Sequence, residues 1–85
     1  MCTIELQKAY HEIVSKMWPM FKQDLVIAPT ITGSNDPRWI EICDRYAGLV
    51  DKAPEAVRDY VDSQVRVHIY ELEKMWRWKN DRQTA

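Results

Sequence analysis

PEAVRDYVDSQVRVHIYELEKMWRWK, residues 54–79, decides the fold. Its spacing predicts one long helix. Pro54 suits a first helical position, where its missing N–H is no loss and its φ is already helical. The acids Glu55, Asp59 and Asp62 come early and the bases Lys74, Arg77, Lys79 and Arg82 come late, which is the order the helix dipole favours. Neither Gly nor a second Pro interrupts the run. Valines 57, 61, 65 and 67 are β-branched and offer a strand as the competing reading. Periodicity decides against it: Val57, Val61, Val65, His68, Leu72, Met75 and Trp76 share one stripe at about 100° per residue. Ala56, Tyr60, Val67 and Trp78 form a second ridge beside that stripe.

Two apolar ridges imply contact from more than one side. Twenty-six residues at about 1.5 Å each extend about 39 Å, whereas a globule of 85 residues has a diameter near about 30 Å. The helix is therefore expected to overhang the globule, to lie in an elongated bundle, or to pair with a second copy. The overhanging part would be the aromatic and basic end.

Working back toward the N-terminus, Pro54 pushes its predecessor out of helix, so 51–53 make a short connection and the helix before it is an antiparallel neighbour. That second helix starts at Asp36-Pro37, with Asp as N-cap and Pro at the first helical position. It is expected to run to about Val50, with Trp39, Cys43, Tyr46, Ala47 and Val50 on one face. Residues 27–35, IAPTITGSN, read as an extended loop and as the one candidate flexible segment. A first helix opens at Thr3, and its predicted buried stripe is Leu6, Tyr10, Ile13, Val14, Met17 and Phe21. Pro19 cannot donate to the carbonyl of Ser15, so this helix is expected to kink or end near Trp18 and restart. The fold class is thus all-α, one domain over 1–85 with three main helices, the first broken at Pro19 and the last long. Residues 80–85 are expected to fray.

Composition narrows the function classes. A chain this short has a small core, and four Trp, four Tyr and one Phe are a heavy aromatic load for it, so some rings are expected in a partner surface. A net charge of −1 supplies no field to attract nucleic acid or an anionic membrane. Cys2 and Cys43 lack metal-ligand spacing. The chain opens without a recognisable leader, and its longest apolar run is far below the roughly 20 residues needed to span a bilayer. The expectation is a soluble cytoplasmic protein with reduced thiols.

Each chemically suggestive residue has a plainer reading beside it. His68, in the middle of the main stripe, is read as a core or interface histidine rather than a base or metal ligand, because only His11 accompanies it. Cys43 is read as a small apolar residue. The acids of the last helix are read as a solvated face, with Asp62 and Arg66 at ion-pair spacing. Gly33 and Gly48 are isolated and cradle no phosphate. A helix-turn-helix reading fails because the reading end of its second helix would be acidic. No catalytic or cofactor motif stands above background, so no cofactor, metal or small-molecule substrate is expected.

The segment 74–82 has four bases against Asp81. Trp interleaved with Lys and Arg suits a protein-binding hot spot, or stacking on bases with phosphate contacts. An amphipathic membrane contact is weakened by the acids upstream. The plain reading places Trp76 in the core, with the bases complementing the helix dipole. The expected function is a non-enzymatic protein-interaction module, a small inhibitor or accessory protein or a homodimer. This profile is common among small proteins of phages and other mobile elements. The expected binding residues are Tyr60, Val67, Lys74, Arg77, Trp78, Lys79 and Arg82. The alternative is a nucleic-acid accessory protein using Lys74 to Arg82.

Overall fold

Three helices, α1 (Thr3–Ile27), α2 (Pro37–Lys52) and α3 (Arg58–Thr84), are joined through two 3-10 turns at Ala28–Thr30 and Glu55–Val57. The computed structural model describes the backbone of residues 3–84 and the side chains of residues 3–77. Among the described residues there is no strand, so the chain is all-α.

Ring contacts give the helix directions. Tyr10 meets Tyr60 edge-on at 4.9 Å between centroids, and Phe21 stacks on His68 at 4.4 Å. Both contacts advance together along α1 and α3, so these helices run parallel. Trp39 meets Trp76 at 5.5 Å and Tyr46 meets His68 at 5.8 Å. These retreat along α2 as α3 advances, so α2 is antiparallel to α3, as the short connection implied. The molecule measures 53 × 18 × 18 Å. Among the outcomes expected for an over-long last helix, elongation is present.

Pro19 does not break α1, which continues through it to Ile27. A proline inside a helix costs about 3 kcal/mol through the lost bond and the ring clash. Burial on both sides of it opposes that cost. Ile13 and Met17 are buried before it, and Asp24 and then Ala28 after it. Those four positions share one helical stripe, so a break would pull half of the stripe off the core.

The segment read as a flexible loop is anchored instead. Ala28 and Ile31 are almost fully buried. Asp36 ties the corner as N-cap of α2. Its carboxylate accepts from the backbone N–H of Arg38 at 2.9 Å and of Thr32 at 3.1 Å. The Arg38 guanidinium bonds the same carboxylate at 2.9 Å and the carbonyl of Thr30 at 2.8 Å. The Arg38 hydrogen bonds, side chain first, hold the Asp36 carboxyl well below the usual carboxylate range.

At the other corner Pro54 precedes a 3-10 turn, and α3 itself opens at Arg58 rather than at Pro54. The N–H of Val57 donates to the carbonyl of Pro54 at 3.0 Å, a bond one residue tighter than an α turn. Arg58 then donates to the carbonyl of Ala53 at 2.9 Å and closes the corner. The predicted stripe packs at Val57 in the 3-10 turn and at Val61, Val65, Leu72 and Trp76 in α3, all buried, while His68 is half-buried and Met75 is exposed. Trp76 is the last buried residue described, and α3 continues beyond it to Thr84.

Candidate functional site

Beside the buried stripe of α3 runs its second ridge. Tyr60 is 38% exposed and Val67 54% exposed. The wheel placed both off the core; Tyr10 of α1 meets Tyr60 edge-on and leaves part of its ring exposed. α1 supplies the opposite wall. Val14 and Trp18 lie one turn apart on its flank, 45% and 57% exposed. Val14 was expected in the core; it faces outward because α3 covers only one shoulder of the α1 stripe, and a helical wheel cannot say which. Between the walls lies a hollow of about 120 Å³ lined by Val14, Met17, Trp18, Tyr60, Gln64 and His68. The sequence reading did not single out Trp18. Its one signal was its spacing from Val14, four residues on.

The basic end behaves differently. Lys74 lies 3.3 Å from the Glu71 carboxylate and over the Tyr70 ring, and Arg77 pairs with Glu73 and lies over Trp76. Each of these cations thus has an acid on the preceding turn, which lowers the net positive charge offered to a phosphate. Trp76 itself is buried against Trp39, so of its two readings the core one holds. The side chains of Trp78, Lys79 and Arg82 lie outside the described residues; the backbone that carries them is helical.

Two groups bear on any chemistry. Burial pushes the Cys43 thiol up, and Asp44 and Glu73 push it further. That is the reverse of what a thiolate nucleophile needs. His68 is sandwiched by aromatic rings, flat on Phe21 and edge-on to Tyr46. Its Nδ1 is buried and has no hydrogen-bond partner among the described residues. Burial lowers its pKa from 6.5.

Because the folded state disfavours imidazolium while the unfolded chain does not, the unfolded state binds more protons below a pH of about 6.5. Stability from His68 is therefore complete above that value. It declines as pH falls from there toward the lower folded pKa. We expect the urea midpoint to fall between about pH 7.5 and about pH 5.5, and the His68→Phe variant to show a flatter profile. Equal slopes in the two proteins would mean that the imidazole is solvated.

A further polar pair sits deep in the fold. Arg45 donates to Asp24 at 2.8 Å, and Asp24 is fully buried. The Tyr46 hydroxyl is buried without a hydrogen-bond partner among the described residues, and burial, with the Asp24 charge behind it, pushes its phenol up. Among the described residues no group of three or more His, Cys, Asp and Glu side chains is placed to hold a metal ion. No described helix is long and apolar enough to cross a membrane. Comparison of the chain with protein-family models, with curated proteins and with solved structures found no match.

Proposed function

We propose that the chain works by binding another protein chain along the α1/α3 face, as an inhibitor or accessory module without chemistry of its own. One observation carries this reading. Val14, Trp18 and Tyr60 expose apolar surface around a single hollow, and Val67 is exposed two turns further along α3; clustered apolar exposure marks interaction sites more often than scattered exposure does. An exposed Trp beside a recess is also the residue type that dominates binding hot spots. The site moves toward the middle of the molecule relative to the sequence expectation: Tyr60 and Val67 stay in it, and Trp18 and Val14 join them. Arg77 and Lys74 become its distal rim.

The nucleic-acid alternative has less support, because Lys74 and Arg77 are matched with Glu71 and Glu73 and the net charge is −1. It requires affinity that falls steeply with salt.

The test uses the wild-type chain and a Trp18→Ser/Val67→Ser double variant as parallel baits in extract of the native host. Both positions are exposed, so the melting temperature should stay nearly unchanged. A protein retained by the first bait should be retained at least about 30-fold less well by the second. Equal retention on both baits would place the binding surface elsewhere.

A further inference from the structure

We propose that the hollow between α1 and α3 receives one uncharged aromatic side chain of the partner protein, Phe or Tyr, and does so only while His68 is neutral. This rests on the protein-binding reading of the same face and names what that face holds.

The walls decide the class of occupant. Val14, Met17, Trp18, Tyr60, Gln64 and His68 line the hollow. With His68 neutral none of them is charged, so an ion entering would lose water and meet no opposite charge. The space is about 120 Å³. An engineered cavity of about 150 Å³ takes benzene, so a single ring suits this one. The rings of the wall are already fixed by other rings. Trp18 leans on Phe21 at 6.3 Å between centroids, Phe21 stacks on His68 at 4.4 Å, and Tyr60 meets Tyr10 edge-on at 4.9 Å. A ring set between Trp18 and Tyr60 joins these two clusters, and the Met17 thioether adds a contact that aromatic rings favour. Walls held in place beforehand need little ordering on binding.

His68 sets the condition. Its imidazole lines the hollow, packs against Phe21 and Tyr46, and has a buried Nδ1 without a hydrogen-bond partner among the described residues. From α1 it is faced by Met17, Trp18 and Phe21, none ionisable, with Lys22 exposed beside them. From α2 it is faced by the Tyr46 phenol, with the Asp24–Arg45 pair behind it. On α3 its neighbours are Gln64 and, one turn on, Glu71, which pairs with Lys74. Burial lowers the His68 pKa, so the rings already against it do not replace water for an imidazolium. Another ring in the hollow removes more water. Binding therefore favours the neutral imidazole, and protonation weakens binding by the same factor. Affinity is full above the His68 pKa of the free chain and falls as pH drops through it. His11, one turn before Val14 and 3.4 Å from the Ser15 hydroxyl, also titrates, and the test separates the two.

The probe is p-cresol, the tyrosine side chain, added to the isotope-labelled full chain and followed by NMR. At neutral pH it should bind with a Kd of about a few millimolar and shift the signals of Val14, Trp18, Tyr60 and His68. Isoamyl alcohol, apolar and ringless, should bind about threefold less tightly or worse. At the lowest pH at which circular dichroism shows the chain folded, p-cresol should also bind about threefold less tightly or worse, and saturating p-cresol should lower the pH at which the His68 ring titrates. His68→Phe should bind p-cresol equally at both pH values, and Trp18→Ser should bind it about fivefold less tightly. A p-cresol site elsewhere, a preference for isoamyl alcohol, or a His68 titration unmoved by p-cresol overturns the proposal. A pH dependence that survives in His68→Phe overturns it too and belongs to His11. The two-bait comparison is decided separately: a partner lost on the double variant, with no p-cresol in the hollow, leaves a protein-binding face whose hollow takes no ring.

Discussion

Replacing Arg45 with methionine is expected to cost about 2–3 kcal/mol, a sizeable part of the roughly 4–13 kcal/mol that a domain of this length has in total. The reason is the group left behind. Asp24 is fully buried on the inner stripe of α1, and Arg45, 21 residues further on, is its charged partner among the described residues. Breaking a buried pair from one side strands the other charge in a poorly polarisable interior. The figure lies below the usual range for such a break because the Arg45 side chain is 36% exposed, which lets water reach part of the vacated space. The second Asp24 oxygen has no hydrogen-bond partner among the described residues, so little else offsets the loss. The Asp24→Leu/Arg45→Met double variant should recover most of the stability, since an apolar pair of similar volume asks for no compensation. Urea unfolding of the four proteins, with m held constant, measures both effects. A single variant within about 0.5 kcal/mol of wild type would mean that water reaches the Asp24 carboxylate in the fold.

Trp76→Ala is expected to cost about 3–5 kcal/mol, the largest single loss in the molecule. Trp76 is 5% exposed and meets Trp39 edge to face. Its removal opens a cavity at the one place where the start of α2 and the far part of α3 meet through large rings. A fall in melting temperature of more than about 10 °C should accompany the change in a domain of this size. Trp76→Phe should be far milder. It keeps most of the apolar volume and removes an indole N–H that is buried without an acceptor among the described residues. If Trp76→Ala melted like wild type, that end of the molecule would be held by α1 and the 28–30 turn alone.

Much of the fold can be read from local pattern. The Asp36-Pro37 start is visible because an N-cap and a first-turn proline are adjacent in sequence, and Asp36 caps Arg38 as expected. The stripe of the last helix is visible because its positions repeat at helical spacing, and Val57, Val61, Val65, Leu72 and Trp76, five of the seven expected, are buried. The Asp62–Arg66 ion pair appears at 2.9 Å, where its i,i+4 spacing put it. What escaped was set by tertiary neighbours. Ala28 and Ile31 stand among loop-forming residues, so their burial depends on α3 passing beneath them. Asp24 and Arg45 each read as surface charges, since nothing local couples residues on different helices. Continuity across Pro19 depends on the core contacts that follow it, and these lie outside the window in which a proline is judged. The candidate face was half legible: Tyr60 and Val67 came from the wheel of α3, but Trp18 and Val14 needed the relative placement of two helices.

The parallel course of α1 and α3 has a geometric consequence. An odd number of helices laid along a body 53 Å long and 18 Å wide puts Thr3 and Thr84 at opposite poles. A fluorophore or fusion partner attached at one pole would be held by a stiff strut away from anything attached at the other.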